Sequence, residues 1–571
     1  VRTLAQCVDS GDLLLTWMWG KLLTISQHAP LGLEPVSLHC IPERAFSLIA
    51  SATMRMGLEL QEIASVLPLR QIAFPSLRVF AFVAESRSDM WIRNGTSVAR
   101  HSLFYAFPPY VEDLCCLDLA LIRMSAAASS IPMSPSSGGK NTVAHFVVDL
   151  MLAFGVPIME LFHHPNRNQS SISVPPSYLQ LQQRLQRYDI GNRMALFREM
   201  LLLLLAVLVD RGASMSGNSL SVARKFVIHR LAISSASHSE LARSLPGWIG
   251  GSDMVSSDTV LRQVVEDVAL VRPATNSTPV IYSLRPECMA EIDAYTIMAS
   301  KQEQNLLRSR FPLPDKVLFP PVPQPWRLLL SFAASPVLLR FVLVLLQWFE
   351  SQQAASELSV NPLPFLLTWD DVGVIAHIGS LTCDAMRLQS MGSGIAPMEA
   401  PFLPQVHGAV AAPDMSSDKM VAVDLCQQEQ ASIWERQQHP ESSSHLRTQT
   451  EFPDIVEFLD SSLSKSSNDL ETLHVLVGRL SQVEMDIPPL PKRECTLLYQ
   501  ALTQTLGIRP SVESANVSSE EARKQRKLRA RMAKQASARM LGGMQSSFLS
   551  GQSQSETDNA QIPSSPSISA G

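Results

Sequence analysis

Residues 219–245 read SLSVARKFVIHRLAISSASHSELARSL, and residues 258–284 read DTVLRQVVEDVALVRPATNSTPVIYSL. The first stretch predicts an amphipathic helix over Ser219–Ile233. Ser237 and Glu240 then stand three apart, a capping box that opens a short helix over His238–Leu245, stopped by Pro246 and Gly247. Val260, Leu261, Val264, Val265, Val268 and Leu270 predict a third helix over Asp258–Val271. Val280–Leu284 reads as a strand, behind a polar loop at Thr275–Thr278. Three short helices followed by a strand and a wing make a winged-helix unit, an α+β domain.

Outward from this unit the chain reads as helical on both sides. Upstream, helices are predicted over Ile63–Arg70, Ser76–Arg93, Val143–Phe154, Tyr178–Tyr188 and Met194–Val209. The last is apolar nearly all round, the mark of a helix buried on every side. Loops are placed at Ile131–Thr142 and His163–Pro176. Downstream, Phe319–Pro325 is a stiff proline-rich spacer, Leu328–Ser380 is helical, Met391–Ser417 is a Gly/Pro/Ser-rich loop, and helices return over Phe452–Leu480 and Leu497–Leu506. The fold class is a mainly α-helical scaffold with a winged-helix (α+β) domain and a C-terminal basic helix plus disordered tail. The expected order is a helical scaffold over 1–212, the winged-helix domain over 213–300 and a proline-rich linker over 301–325. A helical region over 326–390, a flexible loop region over 391–450 and a helical region over 451–510 follow. The basic helix at 518–541 and a Ser/Gln/Pro-rich tail at 542–571 close the chain.

The 571 residues are 46% hydrophobic and 17% charged, with a net charge of -5. So charge-poor a chain is not disordered by composition, and a balance slightly on the acidic side argues against a protein that coats nucleic acid. Aromatic residues are only 6%, which favours helices over an all-β sandwich. Eight cysteines are too few for a disulfide scaffold and fit a reducing compartment. Trp326–Phe349 is long enough to span a bilayer but carries Arg327, Arg340 and a central Pro336, so it reads as two soluble helices broken at Ser335-Pro336. The chain starts at Val1 with no leader-like pattern, which fits a fragment or a processed chain.

Several enzyme signatures fail. Around Gly138-Gly139-Lys140, Ser134 stands where a phosphate loop needs its first glycine, and Asn141 where it needs Ser or Thr. Gly250–Met254 lacks the final glycine of a nucleophile elbow. No two cysteines have the two-residue spacing of a zinc pair, and the neighbours Cys115-Cys116 and His163-His164 are poorly spaced for one metal. Asp370-Asp371 reads as a helix-starting cap, since consecutive helical residues point apart. The third helix of the winged unit holds Arg262 but also Asp258, Glu266 and Asp267, and its wing loop has no base; a contact module is expected rather than a DNA reader.

The sharpest local feature is Ser518–Met540. Ser518 and Glu521 form a second capping box. Arg523, Lys524, Arg526, Lys527, Arg529, Arg531, Lys534 and Arg539 follow, eight bases against the two acids Glu520 and Glu521. Leu528, Met532, Ala536 and Met540 make a narrow apolar seam. Such a helix suits an acidic protein groove; nuclear import, RNA and anionic lipid suit it too, as does a merely solvated charged face.

Taken together, several blocks are similar to one family. Ile228-His-Arg-Leu-Ala-Ile233, His238-Ser-Glu-Leu-Ala242 and Tyr282-Ser-Leu-Arg-Pro-Glu-Cys288 resemble the winged-helix region of the UBR-box N-recognins, RING-type E3 ubiquitin-protein ligases of the N-degron pathway. Asp89-Met-Trp-Ile-Arg-Asn-Gly95, the proline run with the helix after it, and Arg523–Met540 resemble further blocks in the same order. The resemblance implies that Arg523, Lys524, Arg526, Lys527, Leu528, Arg529, Arg531, Met532, Lys534 and Arg539 grip a ubiquitin-conjugating enzyme. It makes Trp91, Arg93, Asn94 and Gly95 a structural motif, with a turn at Asn94-Gly95 and Arg93 pairing across helices. The family's zinc-bound UBR box and RING have no counterpart here, so no catalytic residue, metal site or cofactor is expected in this stretch, and zinc belongs to those modules. N-degron substrates would be met through them. The resemblance implies a cytoplasmic protein, present also in the nucleus, with neither DNA nor membrane as a partner. A non-catalytic adaptor and a binder of nucleic acid or anionic surfaces are the competing readings.

Overall fold

The structure, a computed structural model, describes most of residues 41–131, 142–161, 189–210, 219–245, 257–311, 317–357, 366–396 and 466–506, with single positions between them. The upstream scaffold contains α1 (Ile41–Arg55), α2 (Leu60–Val66), α3 (Leu69–Arg87), a π-turn at Glu112–Cys116 leading into α4 (Leu117–Ala128), α5 (Val143–Ala153) and α6 (Ile190–Val209). The helix break expected between residues 70 and 76 lies earlier. Leu67 is extended (φ -120°, ψ 135°), as suits a residue before proline, whereas Pro75 lies inside α3. A proline there removes one backbone hydrogen bond, which the buried face of α3 outweighs. α6 starts at Asp189, whose carboxylate accepts the Asn192 N–H at 2.8 Å, and its residues from Met200 to Leu208 are all buried, as the all-round apolar pattern requires.

The winged unit follows: α7 (Ser219–Ile233), β1 (Ala236–Ser237), α8 (His238–Ser244), α9 (Ser257–Val268), β2 (Ala269–Arg272) and β3 (Ile281–Leu284). The sheet is antiparallel with order β1-β3-β2; Ala236 pairs with Tyr282, and Ala269 with Leu284. The capping box forms as read, Glu240 accepting the Ser237 N–H at 2.7 Å. The third helix is shorter than predicted. It stops at Val268, and Ala269–Arg272 turns into a strand. The cause lies downstream. Arg285 donates its backbone N–H to Val268 O at 2.9 Å, its Nε to Ala269 O at 3.1 Å and its Nη2 to Glu266 O at 2.9 Å. Three carbonyls at the helix end are thereby satisfied, and the chain is freed to pair with β3. Leu241, Leu261 and Val268 are fully buried in this unit's core, which also takes in Val79, Val83, Tyr105, Cys115 and Cys116 from the scaffold. Lys225 of α7 is ion-paired with Asp210, at the end of α6.

Residues 301–325, expected as a linker, carry α10 (Lys301–Arg310) and then an extended run whose Phe319 and Val322 are buried, ahead of a short 3-10 turn, Gln324–Trp326, that buries Trp326. β4 (Val322–Pro323) pairs in parallel with β5 (Ile395–Ala396), inside the stretch read as a loop. A rigid proline segment loses little entropy on packing, so composition alone cannot separate a buried strap from a free spacer.

α11 (Arg327–Ala333), α12 (Pro336–Glu357), α13 (Trp369–Ser390), α14 (Ser466–Gln482) and α15 (Pro489–Thr505) complete the described chain. The break at Ser335-Pro336 is as read. The apolar stretch Gln324–Gln353 could cross a membrane by length and composition, but 83% of its most apolar window is buried within the protein, and Arg340 finds Asp469 Oδ2 at 3.0 Å. α15 begins eight positions before the predicted Leu497, because Pro489 and Pro491 fall in the first turn, where no backbone N–H is needed.

Helix directions follow from the contacts. Phe349 meets Trp369 edge-on at 4.8 Å, so α12 and α13 are antiparallel neighbours. Arg479 reaches Glu350 at 3.1 Å and Arg340 reaches Asp469, so α14 runs parallel to α12. His474 bonds Thr503 at 3.0 Å and a side chain on Gly478 would meet Tyr499, so α15 runs against α14. Gly373 faces Glu494 and Gly379 faces Leu498, so α15 lies parallel to α13. The result is a four-helix, up-down-up-down bundle. A Cβ on Gly379 would stand 3.0 Å from Leu498 Cδ1 and 3.3 Å from Val342 Cγ1. Gly379→Leu is expected to cost about 1–3 kcal/mol by overpacking, read as a lower urea midpoint.

Candidate functional site

The winged-helix unit is the described part with the richest side-chain chemistry. Arg224 of α7 is its hub. It grips Glu291 with two bonds, Nε–Oε2 at 2.9 Å and Nη2–Oε1 at 2.7 Å, pairs with Asp267 through Nη1, and lies 3.7 Å from Cys288 Sγ. The Glu291 hydrogen bonds lead in raising its pKa further. These pairs are partly solvated, so their yield is geometric more than energetic: they fix the short helical turn Pro286–Glu291 against α7.

His229 does the same one turn later. Its Nδ1 lies 2.8 Å from Lys225 O, and its Nε2 accepts the Asp293 N–H at 3.0 Å. Burial, helped by Lys225, lowers its pKa, which suits a neutral ring that accepts at Nε2. His229, Arg285 and Cys288, three of the residues that carry the family resemblance, thus hold the unit together. Their sequence signal was a pattern; their roles became visible only through partners far along the chain.

The outward face of α9 is balanced, not basic. Arg262 is paired with Asp258 at 2.8 Å, and His238 reaches the same carboxylate at 3.2 Å. The sheet edge β2 exposes Leu270 and Val271, an apolar tip suited to protein contact. Asp370 and Asp371 sit in the first turn of α13, as read. Asp371 accepts the Thr368 N–H at 2.8 Å while its other oxygen takes Arg198 Nε at 2.7 Å, so it caps the helix and ties it to α6. The cap residue itself, Thr368, was not singled out from sequence. Cys115, Cys116, Cys288, Cys383 and Cys495 are buried free thiols, and burial pushes Cys115, Cys383 and Cys495 up to about 12. Among the described residues no cluster of three or more His, Cys, Asp or Glu could hold a metal.

Arg523, Lys524, Arg526, Lys527, Leu528, Arg529, Arg531, Met532, Lys534 and Arg539 lie outside the described residues, as do Trp91, Arg93, Asn94, Gly95 and the 542–571 tail.

Comparison with known proteins centres on the same unit. Residues 222–311 match the winged-helix domain of UBR1-like E3 ubiquitin-protein ligases. The chain is 24% identical over 336 residues to human E3 ubiquitin-protein ligase UBR2, covering 55% of this chain and 17% of that protein. It is 25% identical over 287 residues to Drosophila melanogaster E3 ubiquitin-protein ligase UBR1, covering 48% and 14%. With Arabidopsis thaliana E3 ubiquitin-protein ligase PRT6 it shares 28% over 221 residues, 38% of this chain and 9% of that protein. The chain therefore spans less than a fifth of the length of these relatives. The matched stretch holds α7 to α10, the β1-β3-β2 sheet and the Arg285 cap, so this part of the chain is similar to the winged-helix domain of the UBR1-like E3 ubiquitin-protein ligases.

Proposed function

We propose that this chain is the scaffold part of a RING-type ubiquitin ligase that reads N-terminal degrons, and that residues 518–541 dock the ubiquitin-conjugating enzyme. The observation that carries the reading is the winged-helix stretch 222–311, in which the family match and the packing coincide. Lys225 and the buried Val79 and Val83 fasten this unit to the upstream helices, so the scaffold can hold distant modules at a set spacing. A ligase of this kind works by positioning: a charged thioester and a substrate lysine are held so that the amine can attack. The residues here need supply no nucleophile or base. Zinc serves the UBR box and RING, and the Cys spacing of this sequence offers no site for either. Cytoplasm and nucleus are the proposed locations.

Eight bases attract an acidic face, and Leu528 and Met532 anchor it. Residues 1–571 are therefore expected to bind one member of a panel of ubiquitin-conjugating enzymes, and to lose it on deletion of 517–545 or with Leu528→Asp. Alone they should give no autoubiquitylation. Absence of enzyme binding, with steeply salt-dependent RNA binding instead, would overturn the docking role.

A further inference from the structure

Three parts of the molecule meet around one buried carboxyl. Glu494 of α15 is 3% exposed, and its Oε1 accepts the hydroxyl of Tyr295. Tyr295 is equally buried and lies on the segment leaving the winged-helix unit. Its N–H donates to Asp293 Oδ1 at 2.9 Å, and Asp293 is itself held by His229 of α7. The other Glu494 oxygen occupies a notch on α13 that exists because residue 373 is glycine; a Cβ there would overlap Oε2. The Tyr295 ring is flanked by His377 of α13, centroids 5.2 Å apart, and by the Arg308 guanidinium of α10 at 5.5 Å. His377 Nδ1 is buried with no hydrogen-bond partner among the described residues.

The groups facing the carboxyl are Arg308 from α10, Asp370 and His377 from α13, Asp293 and Tyr295 from the connecting segment, and Arg493 from its own helix. Among the described residues none forms an ion pair with Glu494. Burial raises its pKa from 4.5 to about 7; the Tyr295 bond, Arg308 and Arg493 work against this and Asp370 adds to it. Burial sends His377 the other way, to about 4.

We propose that Glu494 is a proton-operated latch between the winged-helix unit and the four-helix bundle. Neutral, it rests in the Gly373 notch and holds Tyr295; ionised, it favours opening of the joint to water. The sign follows from linkage. A carboxyl whose pKa is higher in the closed joint than in water stabilises closure fully below about pH 4.5, and that contribution is lost as pH rises through about 7. His377 opposes it, since a buried neutral ring weakens closure as pH falls below 6.5. The wild-type joint is thus partly compensated, and a variant comparison isolates the carboxyl. The latch does not depend on the ligase reading.

The test is hydrogen exchange on the full chain at pH 6 and pH 8, corrected for intrinsic rates, in peptides covering 286–310 and 489–505. Glu494→Gln keeps the acceptor for Tyr295 and cannot ionise. The ratio of wild-type to Gln-variant opening is expected to rise about tenfold between the two pH values, with α1 to α6 unchanged. An equal ratio at both pH values overturns the latch. Tyr295→Phe provides a second reading that leaves the carboxyl in place. Opening increases at pH 6 and the titration midpoint moves up, because a bond that favours the charged form is gone; an unmoved midpoint rejects the proposal.

Discussion

Asp118→Ala is expected to destabilise the scaffold by about 3–5 kcal/mol, because it takes the carboxylate out of a buried ion pair. Asp118 has no exposed surface and serves two helices besides its own, together with Tyr105. Its Oδ2 accepts Arg44 Nη2 of α1 at 2.7 Å and the Tyr105 hydroxyl at 2.8 Å, and its Oδ1 accepts the Ser76 hydroxyl of α3 at 3.0 Å. Arg44 is 5% exposed, so water cannot replace the lost carboxylate without opening the packing of α1 on α4. The measurement is the urea midpoint of the helical circular-dichroism signal. A paired exchange, Arg44→Met with Asp118→Leu, removes both charges and should cost much less than the single change. A single variant within about 1 kcal/mol of wild type, by the same buried-pair reasoning, would show that this network does not hold the scaffold.

Trp326→Ala should cost a similar amount, about 3–5 kcal/mol, as a large buried side chain is replaced by a cavity. Trp326 is 1% exposed and ends the proline strap. The residues after it are pinned to every side. Arg327 pairs with Glu59 at 2.7 Å, Ser130 donates to Leu328 O at 3.1 Å, and Phe332 meets Phe146 edge-on at 5.2 Å. This short stretch therefore joins α2, α4 and α5 to the bundle, and its loss should lower the urea midpoint and the near-ultraviolet signal together. Trp326→Phe keeps most of the volume and should lose less. Full retention of both signals in the alanine variant would mean that the strap is a spacer after all.

The winged-helix unit was legible because its signals are local. The Ser237–Glu240 box, the α9 stripe from Val260 to Val268 and the β3 run each lie within a few residues. β2 was not legible: Ala269–Arg272 continues the helical stripe through Leu270, and the groups that end the helix come from Arg285, well downstream. The break between α2 and α3 was misplaced: the helix predicted over Ile63–Arg70 ran past Leu67, where the chain is extended, while α3 continues through Pro75, because a proline inside a well-buried helix can be tolerated. The bundle's directions depend on pairs such as Arg340–Asp469, invisible to any periodicity. In the candidate site, charge and the absence of a basic recognition face could be read directly. The Glu494–Tyr295 joint could not, because nothing near either residue marks it as buried.

The parallel pairing of α13 with α15 also sets a clock. Glu494 is made long after Gly373, 121 positions further along the chain. At about 5–20 residues per second, translation leaves roughly 6–24 s between the two. Through that interval α13 lacks the α15 residues that lie against it, Glu494 at Gly373 and Leu498 at Gly379. Premature association of nascent chains should concentrate on this side of α13, and the speed of synthesis through 391–488 sets how long it stays open.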